Sequence, residues 1–335
     1  MILVTGGSGF IGANFIVNWF ATNNESLVNL DKLTYAANQN NLQTFNNREN
    51  YFFEEGSIED LEFINSLLNK YQPRAIINFA AETHVDRSIS ESSEFIYTNI
   101  IGTHTLLKAS LSFFEKLDKP KQNDFRFIQI STDEVYGSLL DSDPQSSESS
   151  TYYPNSPYSA SKASGDHLVR AWNETYGLPT ITTNCTNNYG PFQHEEKFIP
   201  LLINFCLAKK KLPIYGDGSN IRDWLYVKDH CDALRIILEK GKIGETYNIG
   251  GNNEIKNIDV VNKVCSLLDE LNPREDGKSY SEQISFVQDR LGHDYRYGLN
   301  ISKINGDVDW SPKENFDSGL KKTVEWYLDI LRKPK

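Results

Sequence analysis

The chain has 335 residues, 39% of them hydrophobic and 24% charged, with 18 Phe, 17 Tyr and 5 Trp. That length and composition exclude a disordered chain and fit one large globular domain carrying a smaller partner. Lys and Arg number 34 against 45 Asp and Glu, a net charge of -11, so there is no basic footprint for nucleic acid or an anionic membrane, and any anionic ligand must be held by local cations.

Met1-Ile2-Leu3-Val4-Thr5 runs straight into a glycine loop with no basic leader or cleavage site ahead of it, and no stretch approaches the ~20 apolar residues that cross a bilayer. A cytoplasmic location is expected. Short apolar runs at 2–5, 27–30, 51–54, 75–79, 126–131 and 180–184 alternate with segments of helical period at 11–20, 61–70, 99–115 and 159–176. This alternation predicts an α/β fold, a Rossmann-type doubly wound parallel sheet over residues 1–186. The rhythm loosens after Cys185, and residues 187–335 are expected to form mainly a smaller substrate-binding domain, with helices at 198–208 and 258–271. Parts of 222–250 are expected to rejoin the sheet, and the Ser- and Asp-rich stretch 139–150 reads as a surface loop beside the cleft. Cys185, Cys206, Cys231 and Cys265 lack CxxC spacing, which predicts reduced thiols and no structural metal.

Gly6, Gly9 and Gly12 stand between the first strand and the first helix. In that position glycines allow a tight turn, a close approach of backbone to a pyrophosphate, and close packing of helix on strand. Asp31 ends the second strand about 20 residues further on, where a carboxylate accepts hydrogen bonds from the adenosine ribose and repels a 2′-phosphate. The pair predicts NAD in preference to NADP; taken singly, each also reads as an ordinary turn. Tyr158 and Lys162 lie four apart at the start of a helix and so share a face. Such pairs also occur as plain helix neighbours, but an adjacent ammonium together with the positive nicotinamide ring favours a phenolate, which would make Tyr158 a base for a sugar hydroxyl near neutral pH. At the carboxyl end of the fifth strand, Asp133 and Glu134 read either as a solvated turn or as two carboxyls in different protonation states. The second reading supplies one acid and one base, which is what eliminating water beside a carbonyl requires.

With Gly6-x-x-Gly9-x-x-Gly12 and Tyr158-x-x-x-Lys162, the chain resembles the extended short-chain dehydrogenase/reductase family. Thr132-Asp133-Glu134 narrows the resemblance to nucleoside-diphosphate-glucose 4,6-dehydratases, with further likeness at 30–38, 80–89, 184–191, 222–230 and 289–293. The resemblance implies that Tyr158 deprotonates the sugar 4-hydroxyl as hydride leaves C4, Glu134 removes the C5 proton, and Asp133 protonates the departing 6-hydroxyl. It also implies that Thr132 binds the 4-oxygen, and that Lys162 lowers the Tyr158 pKa and binds the nicotinamide ribose. Around NAD it places Gly6, Gly9, Phe10, Ile11, Gly12, Asp31, Lys32, Leu33, Thr34, Ser57, Ile58, Ala80, Ala81, Thr98 and Asn188. Around the nucleotide sugar, dTDP-glucose, it places Thr83, Asn187, Lys197, Phe198, Pro213, Ile214, Tyr215, Arg222, Asn257, Asp289, Arg290 and His293. Three positions depart from the pattern: Ser57 stands where an Asp commonly contacts adenine, Ala37 replaces a Gly, and Leu291 replaces a Pro. A homodimer follows from the resemblance of helices 99–115 and 159–176 to a four-helix interface. The competing readings are UDP-glucose as substrate, a 4-epimerase or decarboxylase on the same fold, and a non-catalytic NAD-binding sensor. Intact Tyr158 and Lys162 weigh against the sensor, and Asp133 with Glu134 against the epimerase.

Overall fold

The computed structural model describes residues 1–289 and 292–332. Its strands, in chain order, are β1 (Ile2–Thr5), β2 (Leu27–Asp31), β3 (Tyr51–Glu55), β4 (Ala75–Asn78), β5 (Arg126–Thr132) and β6 (Thr180–Cys185), followed by β7 (Asn187–Tyr189), β8 (Leu212–Tyr215), β9 (Ile221–Tyr226), β10 (Thr246–Ile249), β11 (Glu254–Lys256) and β12 (Ile284–Val287). Seven of them form one parallel sheet in the order β10-β6-β5-β4-β1-β2-β3. Every residue of β1, β2, β4 and β6 is buried, because helices cover both faces, and this is why these segments do not alternate between apolar and exposed polar positions. The strand order reverses between β1 and β4, which opens a crevice at the carboxyl edge of the sheet.

Helices α1 (Phe10–Thr22), α2 (Leu61–Tyr71), α3 (Thr103–Phe114) and α4 (Pro157–Tyr176) connect the first six strands. Later helices are α5 (Phe198–Leu207), α6 (Val227–Lys240), α7 (Asn257–Leu271) and α8 (Phe316–Arg332). Helix α4 has strong end signals: Ser156 and Ser159 form a reciprocal capping box, Pro157 fills the first turn, and Gly177 closes the helix at φ 69°. Helix α6 lies against α1, so Val227, Cys231 and Leu234 share an apolar cluster with Phe15, Ile16 and Trp19. A second cluster, including Tyr189, Trp224, Val261, Cys265 and Leu320, joins α5, α7, α8 and β9.

The sheet has a seventh strand, β10, inside the 222–250 stretch, paired in parallel with β6 through Thr246↔Thr182 to Ile249↔Cys185. One expectation needs correcting. The helix expected over 99–115 is broken: residues Ile96–Gly102 wind as a π-helix before α3 begins. The wide turn fits where the chain meets α4, because a Cβ on Gly165 would stand 2.9 Å from the Asn99 carbonyl oxygen. The loop at 139–150 is pinned rather than loose. Leu139 and Ser146 donate backbone N–H groups to the carbonyls of Arg296 and Gly298 at 2.9 Å each.

Candidate active site

The carboxyl edge of the sheet forms a cavity of about 300 Å³, at the lower end of the ~300–1,000 Å³ typical of small-molecule sites. It runs from the glycine loop past Asp31 and Ala80 to Thr132, Tyr158 and Lys197. Gly6 sits at φ 67°, and a Cβ there would approach the Ala80 amide nitrogen to 2.7 Å, so the loop can lie against the end of β4 only with glycine at this position. A Cβ on Gly12 would meet the Gly6 carbonyl oxygen at 2.4 Å, which explains the closeness of helix and turn. No side chain caps the amino terminus of α1, and its first turn holds no acid, so the positive end of the helix faces the cavity without an internal anion.

Asp31 is buried, and its two oxygens accept the backbone N–H groups of Ser8 at 2.9 Å and Leu33 at 2.8 Å. The second bond holds Leu33 in the left-handed region at φ 56°, a conformation that costs a non-glycine residue ~1–3 kcal/mol unless its surroundings fix it. Burial pushes the Asp31 carboxyl up, partly opposed by those two N–H donors. Both oxygens keep lone pairs for ribose hydroxyls. The glycine cradle, the uncapped helix and this carboxylate together fit a dinucleotide such as NAD.

At the other end of the cavity, β5 delivers Thr132, Asp133 and Glu134, the last two in a short 3-10 turn. The Thr132 hydroxyl accepts the Glu134 backbone N–H at 3.3 Å and donates to Asp133 Oδ1 at 3.2 Å. Asp133 is 3% exposed, and its other oxygen has no hydrogen-bond partner within the protein. Burial, then the charges of Glu134 and Asp223, push this carboxyl well above the usual range, which favours its protonated form, and one oxygen is uncommitted. Glu134 is only half-buried.

Tyr158 and Lys162 face this turn from α4. Burial, then the Glu134 charge, pushes the Tyr158 phenol well above its ordinary value, while a hydrogen bond with the Thr132 side chain opposes the rise. Desolvation is thus the largest influence on the Tyr158 phenol, whose expected ionisation rests on the ammonium together with the nicotinamide ring. Lys162 is buried and donates to the Ile130 carbonyl at 2.7 Å, and burial pushes its own pKa down.

Of the other residues singled out in the sequence, Phe10, Ile11, Lys32, Thr34, Ile58, Ala81, Thr83, Thr98, Asn187 and Asn188 line the same cavity. Lys197 reaches across it to donate to the Thr83 carbonyl at 3.1 Å. Ser57 does not line the cavity; its hydroxyl accepts the Glu59 N–H at 3.2 Å instead. A separate group forms beyond the rim. Phe198 stacks on Trp224 with ring centroids 6.2 Å apart, Pro213, Ile214 and Tyr215 lie on β8, and Asn257 opens α7. His293 bonds Asp289 at 2.7 Å and meets the Tyr215 ring edge-on at 6.1 Å. Arg222 is held by the Asp294 carbonyl at 2.8 Å and lies over the Tyr297 ring at 4.5 Å, near enough to Asp133 to lower its pKa. Arg290 and Leu291 lie outside the described residues.

Several contributors were missed in the sequence. Glu82, Cys185, Thr186, Gln193 and His194 line the cavity. Asp166 receives the Ser131 hydroxyl at 2.6 Å and the Tyr152 hydroxyl at 3.3 Å behind the catalytic turn, and burial pushes its carboxyl up to about 7. Its place four residues after Lys162, on the same helical face, was the available signal. Asp223 accepts the backbone N–H groups of Asn253 and Gly251 at 2.6 and 3.0 Å and is likewise raised by burial, to about 6.

Among the described residues no helix is long and apolar enough to cross a membrane, and no cluster of three or more His, Cys, Asp or Glu could hold a metal ion. A family profile described as GDP-mannose 4,6 dehydratase matches residues 3–323. The dTDP-glucose 4,6-dehydratase 1 of Escherichia coli (strain K12) is 54% identical, over 98% of this chain and 92% of that protein. The crystal structure of dTDP-glucose 4,6-dehydratase from Bacillus anthracis str. Ames in complex with NAD superimposes with a TM-score of 0.85 at 43% identity, covering 98% of this chain and 96% of the other. The dTDP-glucose 4,6-dehydratase of Streptomyces venezuelae, also with NAD bound, gives 0.89 at 40% identity over 98% and 97% of the two chains. A UDP-glucose 4-epimerase from Thermotoga maritima shares the fold, with a TM-score of 0.86 over 99% of each chain, at a lower 27% identity. The chain is an enzyme of the extended short-chain dehydrogenase/reductase type and belongs to the nucleotide-sugar 4,6-dehydratase family.

Proposed function

We propose that the enzyme is a hydro-lyase that converts dTDP-glucose to dTDP-4-keto-6-deoxyglucose. The observation that carries this reading is the pairing, on one turn, of a buried Asp133, whose carboxyl burial pushes up, with a half-buried Glu134 beside Tyr158. When bound, NAD takes hydride from sugar C4 and returns it to C6, so it is regenerated in each turnover.

The chain's own residues handle the protons. Tyr158 receives the proton of the sugar 4-hydroxyl, whose oxygen Thr132 holds by hydrogen bond. The positive charge gained with the oxidised nicotinamide opposes the burial that raises the Tyr158 pKa. Once C4 is a ketone, the C5 proton is acidic and Glu134 removes it. Asp133 delivers a proton to the departing 6-hydroxyl through its uncommitted oxygen, and Glu134 later returns a proton to C5. Lys162, on the same helical face as Tyr158, contacts the nicotinamide ribose.

In the division of labour that these roles imply, residues 1–186, rejoined by parts of 222–250, bind NAD, and residues 187–335 mainly bind the nucleotide sugar. Arg222, Arg290 and Lys197 pair with diphosphate oxygens that an acidic chain otherwise repels. The exposed side chains Ile89, Ile96, Tyr97 and Ile101 give an apolar face beside α3 and α4 that fits a homodimer, and a monomeric mass in sedimentation would refute it. Four buried free cysteines support a cytoplasmic site of action.

The test is to turn over dTDP-glucose deuterated at C4 in ordinary water. Deuterium at C6 of a 4-keto-6-deoxy product is expected; deuterium retained at C4 with inverted configuration would show a 4-epimerase instead. UDP-glucose in the same assay is expected to react more slowly, and an equal rate would remove the preference for the thymidine nucleotide.

A further inference from the structure

The adenosine end of the cavity carries a charge arrangement that catalysis does not use. Lys32 follows Asp31 directly and lines the same cavity. A lysine there has an obvious alternative use, because a basic group beside the ribose is what accommodates the 2′-phosphate of NADP. Its ammonium would offset the repulsion that Asp31 exerts on that phosphate. In this structure the ammonium is tied down. Lys32 Nζ donates to Thr98 Oγ1 at 2.8 Å and lies 3.3 Å from Glu59 Oε1, and Thr98 Oγ1 donates to the same Glu59 oxygen at 3.0 Å. The triangle joins the loops after β2 and β3 to the π-helical turn, and Thr98 within it is buried. Glu59 itself does not line the cavity and holds the lysine from behind. The other carboxylates facing Lys32 are Asp31 and Glu82, each of which feels its charge.

We propose that Glu59 is a specificity-determining positioning residue that holds the Lys32 ammonium away from the adenosine ribose and so keeps NADP out of the site. Ser57 turns its hydroxyl to the Glu59 backbone, so the acid of this loop comes from position 59 and acts through the lysine, not on adenine. Removing the Glu59 charge frees Lys32 to meet a 2′-phosphate. The proposal rests on the assignment of this cavity to NAD.

The test uses the holoenzyme equilibrated with an equimolar excess of NAD and NADP, stripped of free nucleotide by gel filtration and denatured, with released nucleotides separated by chromatography. The wild type is expected to hold NAD almost alone. Glu59→Gln is expected to raise the bound NADP to NAD ratio roughly tenfold, the scale of one charge-assisted hydrogen bond. Adding Lys32→Met to that variant is expected to return the ratio to the wild-type value. A ratio within twofold of wild type in Glu59→Gln, with NAD still bound, overturns the inference, as does a gain that persists without the lysine. Release of neither nucleotide from the wild type overturns the cofactor assignment, and the inference with it. Glu59 is partly exposed, with 33% of its side chain accessible, and matching melting temperatures will show that the variants fold.

Discussion

The two ends of the site are built on different plans. The end around the glycine loop and Thr132 comes from the tips of β1, β2, β4 and β5, adjacent strands of one buried sheet, so its groups are positioned by backbone pairing. The end around Arg222, Tyr215 and His293 comes from short strands, a helix start and a loop, tied together by contacts such as those of the Asp294 carbonyl, the Tyr297 ring and the Asp289 side chain. In the proposed roles, the sheet edge fixes chemistry and the assembly of loops sets which nucleotide is gripped. Damage to the first should therefore strike turnover, and damage to the second should strike binding.

The largest effect is expected at the sheet edge. Glu134→Gln should lower dehydration by about 10²–10⁴-fold, the usual weight of a general acid or base, yet still allow C4 oxidation. NADH absorbance should then build up in the presence of substrate, and equal loss of both steps would assign Glu134 elsewhere. Tyr158→Phe should lose oxidation itself by a comparable factor, with no NADH signal in a single-turnover trace.

At the other end, Arg222→Met should raise KM on the order of tenfold to a hundredfold, as expected for loss of a charge-assisted contact, and should leave kcat less affected. A fall in kcat with KM unchanged would mean that Arg222 serves Asp133 more than the diphosphate. His293→Ala should be milder, a roughly fewfold rise in KM, from loss of its ring contact with Tyr215 and its hydrogen bond with Asp289.

The smallest effect concerns stability. Burial raises the Asp166 carboxyl to about 7 from an ordinary 3.8, so the folded state holds a proton that the unfolded chain releases. Its contribution is complete below about pH 4 and is lost as pH rises towards 7, at no more than about 1.4 kcal/mol per pH unit. Asp166→Asn should remove that slope, and denaturant midpoints measured at pH 5 and pH 7 should converge relative to wild type. An unchanged difference would show that Asp166 is ionised throughout.

The same division explains what could be read in the sequence. Gly6, Gly9, Gly12, Asp31, Tyr158 and Lys162 were legible because each sits at a fixed offset from a strand or helix end, where local geometry dictates residue type. The six apolar runs were legible because both faces of the sheet are covered. Strand β10 was legible only as part of a stretch returning to the sheet: four residues, Thr-Tyr-Asn-Ile, carry little pattern, and their place beside β6 is decided by a helix that packs on α1 from far along the chain. The π-helical turn at 96–102 was invisible because helical periodicity does not register one extra residue per turn. Asp223 and Tyr297 reach the turn of Asp133 and Glu134 through tertiary contacts that no spacing encodes, and the weight of burial on the Tyr158 phenol cannot be read from a motif.

The late arrival of β10 has a consequence for how this protein can be divided. A fragment ending after β6 would contain every cofactor motif, but it would present the bare backbone edge of β6 to solvent, a template for adhesion to other chains. It would also uncover the α1 face on which Val227, Cys231 and Leu234 rest. The cofactor half is thus not a portable cassette. During synthesis its sheet stays incomplete until the ribosome has passed through β7, β8, β9 and α6, so a portion of the region proposed to bind the sugar nucleotide is made before the sheet proposed to hold the dinucleotide is finished.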